Sequence, residues 1–392
     1  MRQRTPDAFG AGRTRHRRKA RYREIEPVRA VITGPGKGRR AYMETSPSVM
    51  IAAGEAAAKW FVRDRSGRTA TSKEGSAMKS LMGIAMGTLV AAMSNVALAS
   101  EPLVDADWVK ANLDNPEVVV LDIRSRISGS SKESYARGHI PGAVYSDYVS
   151  DGWRVEDANG TPGMLPSAEQ LSKLIGGLGI DNDTHVVVVS RGASGVEMGA
   201  ATRVYWTFKV AGHDKVSILN GGMAAWLAET DPDTKKPVNP LETGVVEPEP
   251  ETFEVNLRPE LIATKEDVKT ALEAGIPVID HRPTDQYLGV TQPGPVARAG
   301  TIPGAISVPE TWLTKDNRGV MRSEAQLAEL HEAAGAPTSG ELINFCNTAH
   351  WATLGWFVNS ELLGNKKAKV YDGSMVEWSK TDLPMTRKIN LP

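Results

Sequence analysis

Cys346 is the residue of this chain whose type and position point most directly to covalent chemistry. It is the only cysteine among 392 residues, and it follows Leu342–Phe345, a mostly apolar stretch that is typical of a short buried strand. Residues 347–351 form a tight loop, and the apolar spacing of residues 352–363 predicts an amphipathic helix. A thiol placed there would face loop N–H groups and the positive end of a helix dipole, which both favour the thiolate. The alternative is an inert buried cysteine, the commoner fate of a lone free thiol.

The loop after the cysteine supplies further candidates. Asn347 is a polar donor or a turn cap, and Thr348 and Ala349 complete the turn. His350 is a candidate for stabilising the thiolate or protonating a leaving group, although its spacing fits a solvent-facing position equally well. Trp351 is expected to be a hydrophobic wall or part of the core. Backbone N–H groups of residues 347–352 are expected to hold an anionic sulfur.

Other kinds of site lack the residues that they need. One cysteine excludes an intramolecular disulfide framework and a cysteine-cluster zinc site, and the seven histidines are scattered, so we predict no metal and no organic cofactor. A Cys-loop phosphatase needs an arginine to grip phosphate where this chain has Ala352. A serine hydrolase centred on Ser194 would need a G-x-S-x-G motif, but this chain has Val196 in place of the final glycine.

The elements that position the loop follow an α/β pattern. Residues 118–121 and 186–189 are short valine-rich runs, which indicate buried parallel strands. Helical patterns over residues 167–178 and 196–210 alternate with them. The sequence therefore predicts a parallel sheet covered by helices on both faces.

The α/β region is an internal repeat. Asp122-Ile-Arg124 and Gly138-His-Ile-Pro-Gly-Ala143 recur as Asp280-His-Arg282 and Gly300-Thr-Ile-Pro-Gly-Ala305. Later in each half, Asn220-Gly-Gly-Met with Trp226 recurs as Asp372-Gly-Ser-Met with Trp378. In this alignment Ser190 is the counterpart of Cys346. One half therefore carries the nucleophile, and the other half is predicted to be structural.

The charge composition separates an N-terminal basic segment from the rest of the chain. Residues 1–77 carry 18 Lys and Arg against 7 Asp and Glu, a net +11, whereas the remainder carries 28 against 40, a net −12. We interpret residues 1–77 as a disordered or non-native extension. Residues 78–99 have a basic start, an apolar stretch and a final Ala97-Leu-Ala99, which predicts a signal peptide and a periplasmic or secreted protein. Residues 101–230 and 259–392 are the predicted domains, joined by a Pro-rich linker over 231–258.

These motifs together resemble the tandem rhodanese-type sulfurtransferases over residues 101–392, in an exported form. The resemblance rests on the paired Asp-x-Arg and Gly-x-Ile-Pro-Gly-Ala motifs, the cysteine that opens a six-residue loop, and Asp-Gly-Ser-Met-x-Glu-Trp near the end. It implies two rhodanese-like domains, each a small, mostly parallel sheet flanked by helices, with only the second active. It also implies that Cys346 carries sulfur as a persulfide from a donor such as thiosulfate or 3-mercaptopyruvate to a thiol or cyanide.

The chain departs from that family where charge is expected. Thiosulfate enzymes of the family that this chain resembles carry cations at three places in this region. Those places are held here by the uncharged residues Asn347, Thr348 and Gln286, so the identity of the sulfur donor stays open. Arg298 is a candidate anion clamp or an exposed surface charge. Arg282 is a candidate substrate contact, although an ion pair with Asp280 is the favoured interpretation.

A carrier role is the competing hypothesis. Cys346 would then accept sulfur from a partner and pass it on in a periplasmic relay, with little turnover of small donors. In either case we expect a small sulfur-containing anion as donor and a thiol or protein as acceptor. The acidic mature chain argues against nucleic acid as a partner, and no stable membrane insertion is expected after cleavage.

Overall fold

The computed structural model describes residues 100–389; the predicted extension 1–77 and signal segment 78–99 lie outside them. The first half forms a parallel five-stranded sheet in the order β1-β7-β6-β2-β3. The strands of this half are β1 (Leu103–Val104), β2 (Val118–Asp122), β3 (Val144–Tyr145), β6 (His185–Val189) and β7 (Val216–Leu219), with β4 (Val155–Glu156) and β5 (Pro162–Met164) forming a separate antiparallel pair.

The predicted valine-rich strands are confirmed as the centre of this sheet. Strands β2 and β6 are paired along their whole length, and residues 186–189 are completely buried. Continuous apolar side chains suit a strand that is covered on both faces. The helices that cover it are α1 (Ala106–Ala111), α2 (Lys132–Arg137), α3 (Ala168–Gly176), α4 (Gly195–Val210) and α5 (Gly222–Trp226).

The second half repeats the arrangement. Its parallel sheet has the order β8-β12-β11-β9-β10, which matches the first sheet strand for strand. The strands are β8 (Ile262–Ala263), β9 (Val278–Asp280), β10 (Ile306–Ser307), β11 (Leu342–Phe345) and β12 (Ala368–Tyr371). The helices are α6 (Lys265–Ala274), α7 (Thr284–Leu288), α8 (Glu324–Ala334), α9 (His350–Phe357) and α10 (Ser374–Trp378). The predicted α/β class with two similar domains is thus correct, while the exact boundaries at 101–230 and 259–392 stay predictions.

The predicted Pro-rich linker, 231–258, runs along the first domain. Glu242 pairs with His139 in an isolated bridge, and Glu251 donates its N–H to the carbonyl of Gly176 at 2.8 Å. Phe253 is buried beside Phe208. The prolines prevent regular structure here, but the segment is fastened to the domain by these contacts.

Helix α9 differs from its prediction in a way that matters for the site. It begins at His350 and continues as a wider turn over Val358–Leu362, and its residues 352–357 are all buried. The predicted helix is present, but its predicted amphipathic character is wrong, because one side of α9 lies on its own sheet and the opposite side packs on α4 of the first domain. A helix enclosed on both sides has no solvent face to make polar.

Two further observations concern residues 100–389. No helix in this range is long and apolar enough to cross a bilayer. Nor does the range contain three or more His, Cys, Asp or Glu side chains grouped as metal ligands.

Candidate active site

Cys346 lies directly after β11, at the carboxyl end of the central strand of the second sheet. Only 1% of the residue is exposed. Backbone N–H groups of Ala352, Thr348 and Trp351 lie close enough to its sulfur to lower the pKa of the thiol. These three groups belong to the 347–352 backbone that was expected to hold an anionic sulfur.

The protonation of this thiol is a correction to the sequence analysis. Burial raises the pKa of Cys346 above its usual value, and the loop N–H groups lower it by less. The sequence favoured the thiolate because it revealed the donors but not the removal of water, which penalises the charged form. The resting side chain is therefore a buried thiol, surrounded by groups that would stabilise an anion once one forms.

Ser374 fixes the shape of the loop. Its hydroxyl accepts hydrogen bonds from the N–H groups of Cys346 and Ala349, both at 3.2 Å, and donates to the carbonyl of Tyr371 at 2.8 Å. Ser374 and Ala349 both have positive φ angles, 47° and 56°, which cost energy for residues other than glycine. The loop is thus held in a strained turn, and the N–H groups of Cys346 and Ala349 are occupied by Ser374.

His350 is enclosed by the first domain. Its Nε2 lies 2.8 Å from the carbonyl of Val196, and its Nδ1 lies 2.7 Å from the hydroxyl of Tyr148. A carbonyl can only accept, so Nε2 carries the proton and Nδ1 accepts from Tyr148. Burial lowers the pKa of His350 to about 3, so the ring is neutral. The solvent-facing alternative is wrong, and a neutral ring with both nitrogens engaged does not suit proton transfer to a leaving group.

The remaining loop side chains lie at the partly exposed side of the site. Asn347 donates from Nδ2 to Oε1 of Gln286 at 2.8 Å, so two of the uncharged residues noted in the sequence bind each other. Trp351 is partly buried against the core, with its ring edge towards His350. Its indole Nε1 is buried without a hydrogen-bond partner. This position agrees with the predicted hydrophobic wall.

The two candidate arginines have structural partners. Arg282 pairs with Asp280 at 2.6 Å and donates to the carbonyl of Gly300, and 1% of it is exposed, so the favoured ion pair is present. Arg298 donates to the carbonyls of Ser379, Thr381 and Leu383. Its guanidinium therefore holds the C-terminal segment, which argues against the predicted anion clamp and against a free surface charge.

Two residues of the first domain complete the site, and the sequence analysis missed both. Tyr148 is fully buried against His350, and Arg154 donates from Nη2 to the carbonyl and the hydroxyl of Thr348, at 3.1 and 2.8 Å. Neither residue belongs to a recognisable motif. The repeat did carry a signal for Ser374, because Gly222 replaces it in the half without the cysteine.

Ser190 occupies the corresponding position in the first domain. It follows β6 as Cys346 follows β11. Its carbonyl accepts from the N–H of Met223 at 2.8 Å, as the carbonyl of Cys346 accepts from Met375 at 3.0 Å. The first domain thus keeps the backbone of the loop entrance without a thiol.

Comparisons with known proteins agree with the two-domain fold and with one another. The model of the rhodanese-like domain matches residues 105–229 and 264–381. The chain is 34% identical to thiosulfate sulfurtransferase of Rattus norvegicus over 298 residues, which cover 72% of this chain and 92% of the rat protein. It is also 34% identical to sulfur carrier protein TtuD of Thermus thermophilus over 292 residues, covering 71% and 93%. The crystal structure of SseA from Escherichia coli, a 3-mercaptopyruvate sulfotransferase, superposes with a TM-score of 0.59 at 29% identity, covering 70% and 99%.

Proposed function

The chain belongs to the rhodanese family as a tandem-domain sulfurtransferase, and from this membership we propose that Cys346 carries the transferred sulfur as a persulfide. The donor is a small sulfur-containing anion such as thiosulfate or 3-mercaptopyruvate, and the acceptor is a thiol or cyanide. The observation that carries the proposal is the placement of a single thiol at the carboxyl end of β11, where the N–H groups of Ala352, Thr348 and Trp351 act on its pKa. The equivalent position of the other domain holds Ser190.

The transfer takes place in two steps. The Cys346 thiol first loses its proton to water. The thiolate then attacks the outer sulfur of thiosulfate, the S–S bond of the donor breaks, and its electron pair leaves with sulfite. Cyanide then attacks the terminal sulfur of the persulfide, which releases thiocyanate and restores the thiolate. Both the thiolate and the persulfide are anions, so the N–H groups of Thr348, Trp351 and Ala352 stabilise each in turn. Once the thiolate has formed, these donors stabilise it without a further proton transfer, in accord with the neutral state of His350.

Turnover and labelling with two donors test this function. We expect thiocyanate formation from cyanide with thiosulfate or 3-mercaptopyruvate, and its loss by at least about 1000-fold in Cys346→Ser, because the hydroxyl does not form a persulfide. Mass spectrometry after donor treatment should show one added sulfur on Cys346. Turnover that survives the substitution would reject the proposed role of Cys346.

A persulfide carrier is the second candidate. The similarity to the sulfur carrier protein TtuD favours it. In that case Cys346 would load with sulfur in a single turnover, while multiple turnover with both donors would stay slow. Rapid multiple turnover with either donor rejects the carrier.

Export is proposed on the sequence of residues 78–99 alone. The segment has the three parts of a signal peptide, and cleavage after Ala99 would release a periplasmic or secreted protein. N-terminal sequencing of the protein from the periplasm or medium tests this, and a first residue well before Ser100 would contradict it.

A further inference from the structure

The charge needed to bind an anionic donor does not come from the Cys346 loop itself. Its polar side chains Asn347 and Thr348, and the neighbouring Gln286, are all uncharged. The cation that does reach the loop is Arg154 of the first domain, which lies just before β4. Its Nη2 donates to both oxygens of Thr348, two residues after the cysteine.

Arg154 keeps its charge available, unlike the other arginines near the loop. Arg203 is neutralised by Asp372 and Arg282 by Asp280. The hydrogen-bond partners of Arg154 are neutral oxygens, and within residues 100–389 no carboxylate forms an ion pair with it. Its Nε is buried and has no hydrogen-bond partner. A buried N–H of a cation without an acceptor is costly, which indicates a place where an acceptor binds.

The surroundings also hold the guanidinium in a fixed direction. Its carbon lies 5.7 Å from the centre of the Tyr148 ring, and Tyr148 is fixed in turn by its hydrogen bond to His350. The backbone at Gly163 comes so close that a Cβ there would press on the Arg154 side chain and on Cβ of Thr348. The arginine is therefore positioned before a donor arrives, which reduces the entropy lost on binding.

The internal repeat provides a comparison within the same molecule. Leu165 donates its N–H to Asp372 at 2.6 Å, and Met321 donates to Asn220 at 2.9 Å, so the segment before α3 covers the second domain as the segment before α8 covers the first. In the segment before α3, Val155 pairs with Met164. In the segment before α8, the N–H of Lys315 donates to the carbonyl of Val320, which gives the same antiparallel register as the first pair. The residue before Lys315 is Thr314, and a Cβ at Gly195, five residues after Ser190, would lie 3.1 Å from its Oγ1. A neutral threonine thus lies near the start of α4 in the half without a thiol, whereas Arg154 contacts the loop that has one.

We propose that Arg154 binds the anionic group of the sulfur donor at Cys346, so that the domain without a nucleophile supplies the substrate-binding cation. The proposal rests on the proposed function. On binding, the guanidinium donates from its Nε to the sulfonate oxygens of thiosulfate, or to the carboxylate of 3-mercaptopyruvate, while Nη2 keeps its contacts with Thr348. The same charge offsets repulsion between the Cys346 thiolate and an approaching anion.

Steady-state kinetics with thiosulfate and cyanide test this role. We expect Arg154→Met to raise KM for thiosulfate by about 10- to 100-fold, since charged hydrogen bonds are lost, with a smaller change in kcat at saturation. The KM of Arg154→Lys should lie between that of this variant and that of the unsubstituted protein, because lysine restores the charge without the planar guanidinium. Arg137→Met, an exposed charge loss in the same domain, should leave KM within about twofold.

The outcomes separate this proposal from the proposed function. Unchanged KM in a folded Arg154→Met, with normal turnover by the unsubstituted protein, would overturn the role of Arg154 alone. Failure of the unsubstituted protein to turn over either donor would instead count against the proposed function. If Arg154→Met does not fold, Arg154→Lys decides: a KM raised several-fold supports the proposal, and an unchanged KM overturns it.

Discussion

At the scale of single residues, Cys346 shows how burial and hydrogen bonding oppose each other. Three loop N–H groups favour the anion, while exclusion of water favours the neutral thiol and has the larger effect on its pKa. An active cysteine is therefore compatible with a resting thiol, provided that a nearby positive charge stabilises the thiolate. Arg154, whose hydrogen-bond partners are neutral oxygens, contacts Thr348, two residues after Cys346.

The raised pKa predicts how Cys346 reacts with iodoacetamide. Because the pKa lies above the usual value, the thiolate is the minor form at neutral pH, and its fraction grows about tenfold per pH unit below the pKa. The alkylation rate constant should therefore keep rising from pH 7 to pH 9. Cys346 is the only cysteine, so mass spectrometry follows one site, and Cys346→Ser is the blank. A plateau below pH 8 would mean that the loop donors outweigh burial.

At the scale of secondary-structure elements, the contact between α4 and α9 places the loop. Both helices are buried, and Gly199 of α4 lies against the ring of His350 at the start of α9. A Cβ at Gly199 would stand 2.8 Å from Nε2 and 3.1 Å from Cδ2 of His350. The absence of a side chain there allows the two helices to approach closely enough for His350 to bind Val196 and Tyr148.

Gly199→Ala should therefore destabilise the protein although alanine favours helices. We expect a loss of about 1–3 kcal/mol in the free energy of unfolding, because overpacking outweighs the gain in helix propensity of about 1 kcal/mol. Urea denaturation measures this. Gly294→Ala is the matched control, since a Cβ there meets nothing within 4 Å, and it should change stability by less than about 0.5 kcal/mol. A more stable Gly199→Ala protein would show that α9 can move away without cost.

At the scale of the whole molecule, the two domains are joined by a buried ion pair. Arg203 of α4 contacts Asp372 at 2.5 Å, with 0% and 5% of the two side chains exposed. The other oxygen of Asp372 accepts from the N–H of Leu165, so one carboxylate of the second domain binds two parts of the first. The closed interface needs both charges, because removing either one would leave the other buried without a partner.

Removal of one partner tests this dependence. Asp372→Ala should lower the free energy of unfolding by about 3–5 kcal/mol, because Arg203 is left buried without a counter-charge. Lys215→Met, which breaks the exposed pair with Asp183, should cost less than about 1 kcal/mol. Denaturation monitored by tryptophan fluorescence compares them. Equal, small effects would mean that water enters the interface and replaces the lost carboxylate.

The sequence by itself determined the main strands, the duplication and the candidate nucleophile. Valine runs specify buried parallel strands through local pattern, and matched motifs in two halves identify Ser190 and Cys346 as counterparts. These features depend on residues close together in the chain or on a direct comparison of its halves, so they can be read without coordinates.

Only the tertiary structure decided the protonation of Cys346, the neutral state of His350 and the approach of Tyr148 and Arg154. Tyr148 and Arg154 lie about 200 positions before the loop that they contact, and no motif marks them. The pKa of a group depends on how much water its surroundings exclude and which charges they supply, and both are set by packing between two domains. For the same reason α9 is buried on two sides, although its sequence alone predicted one solvent-facing side.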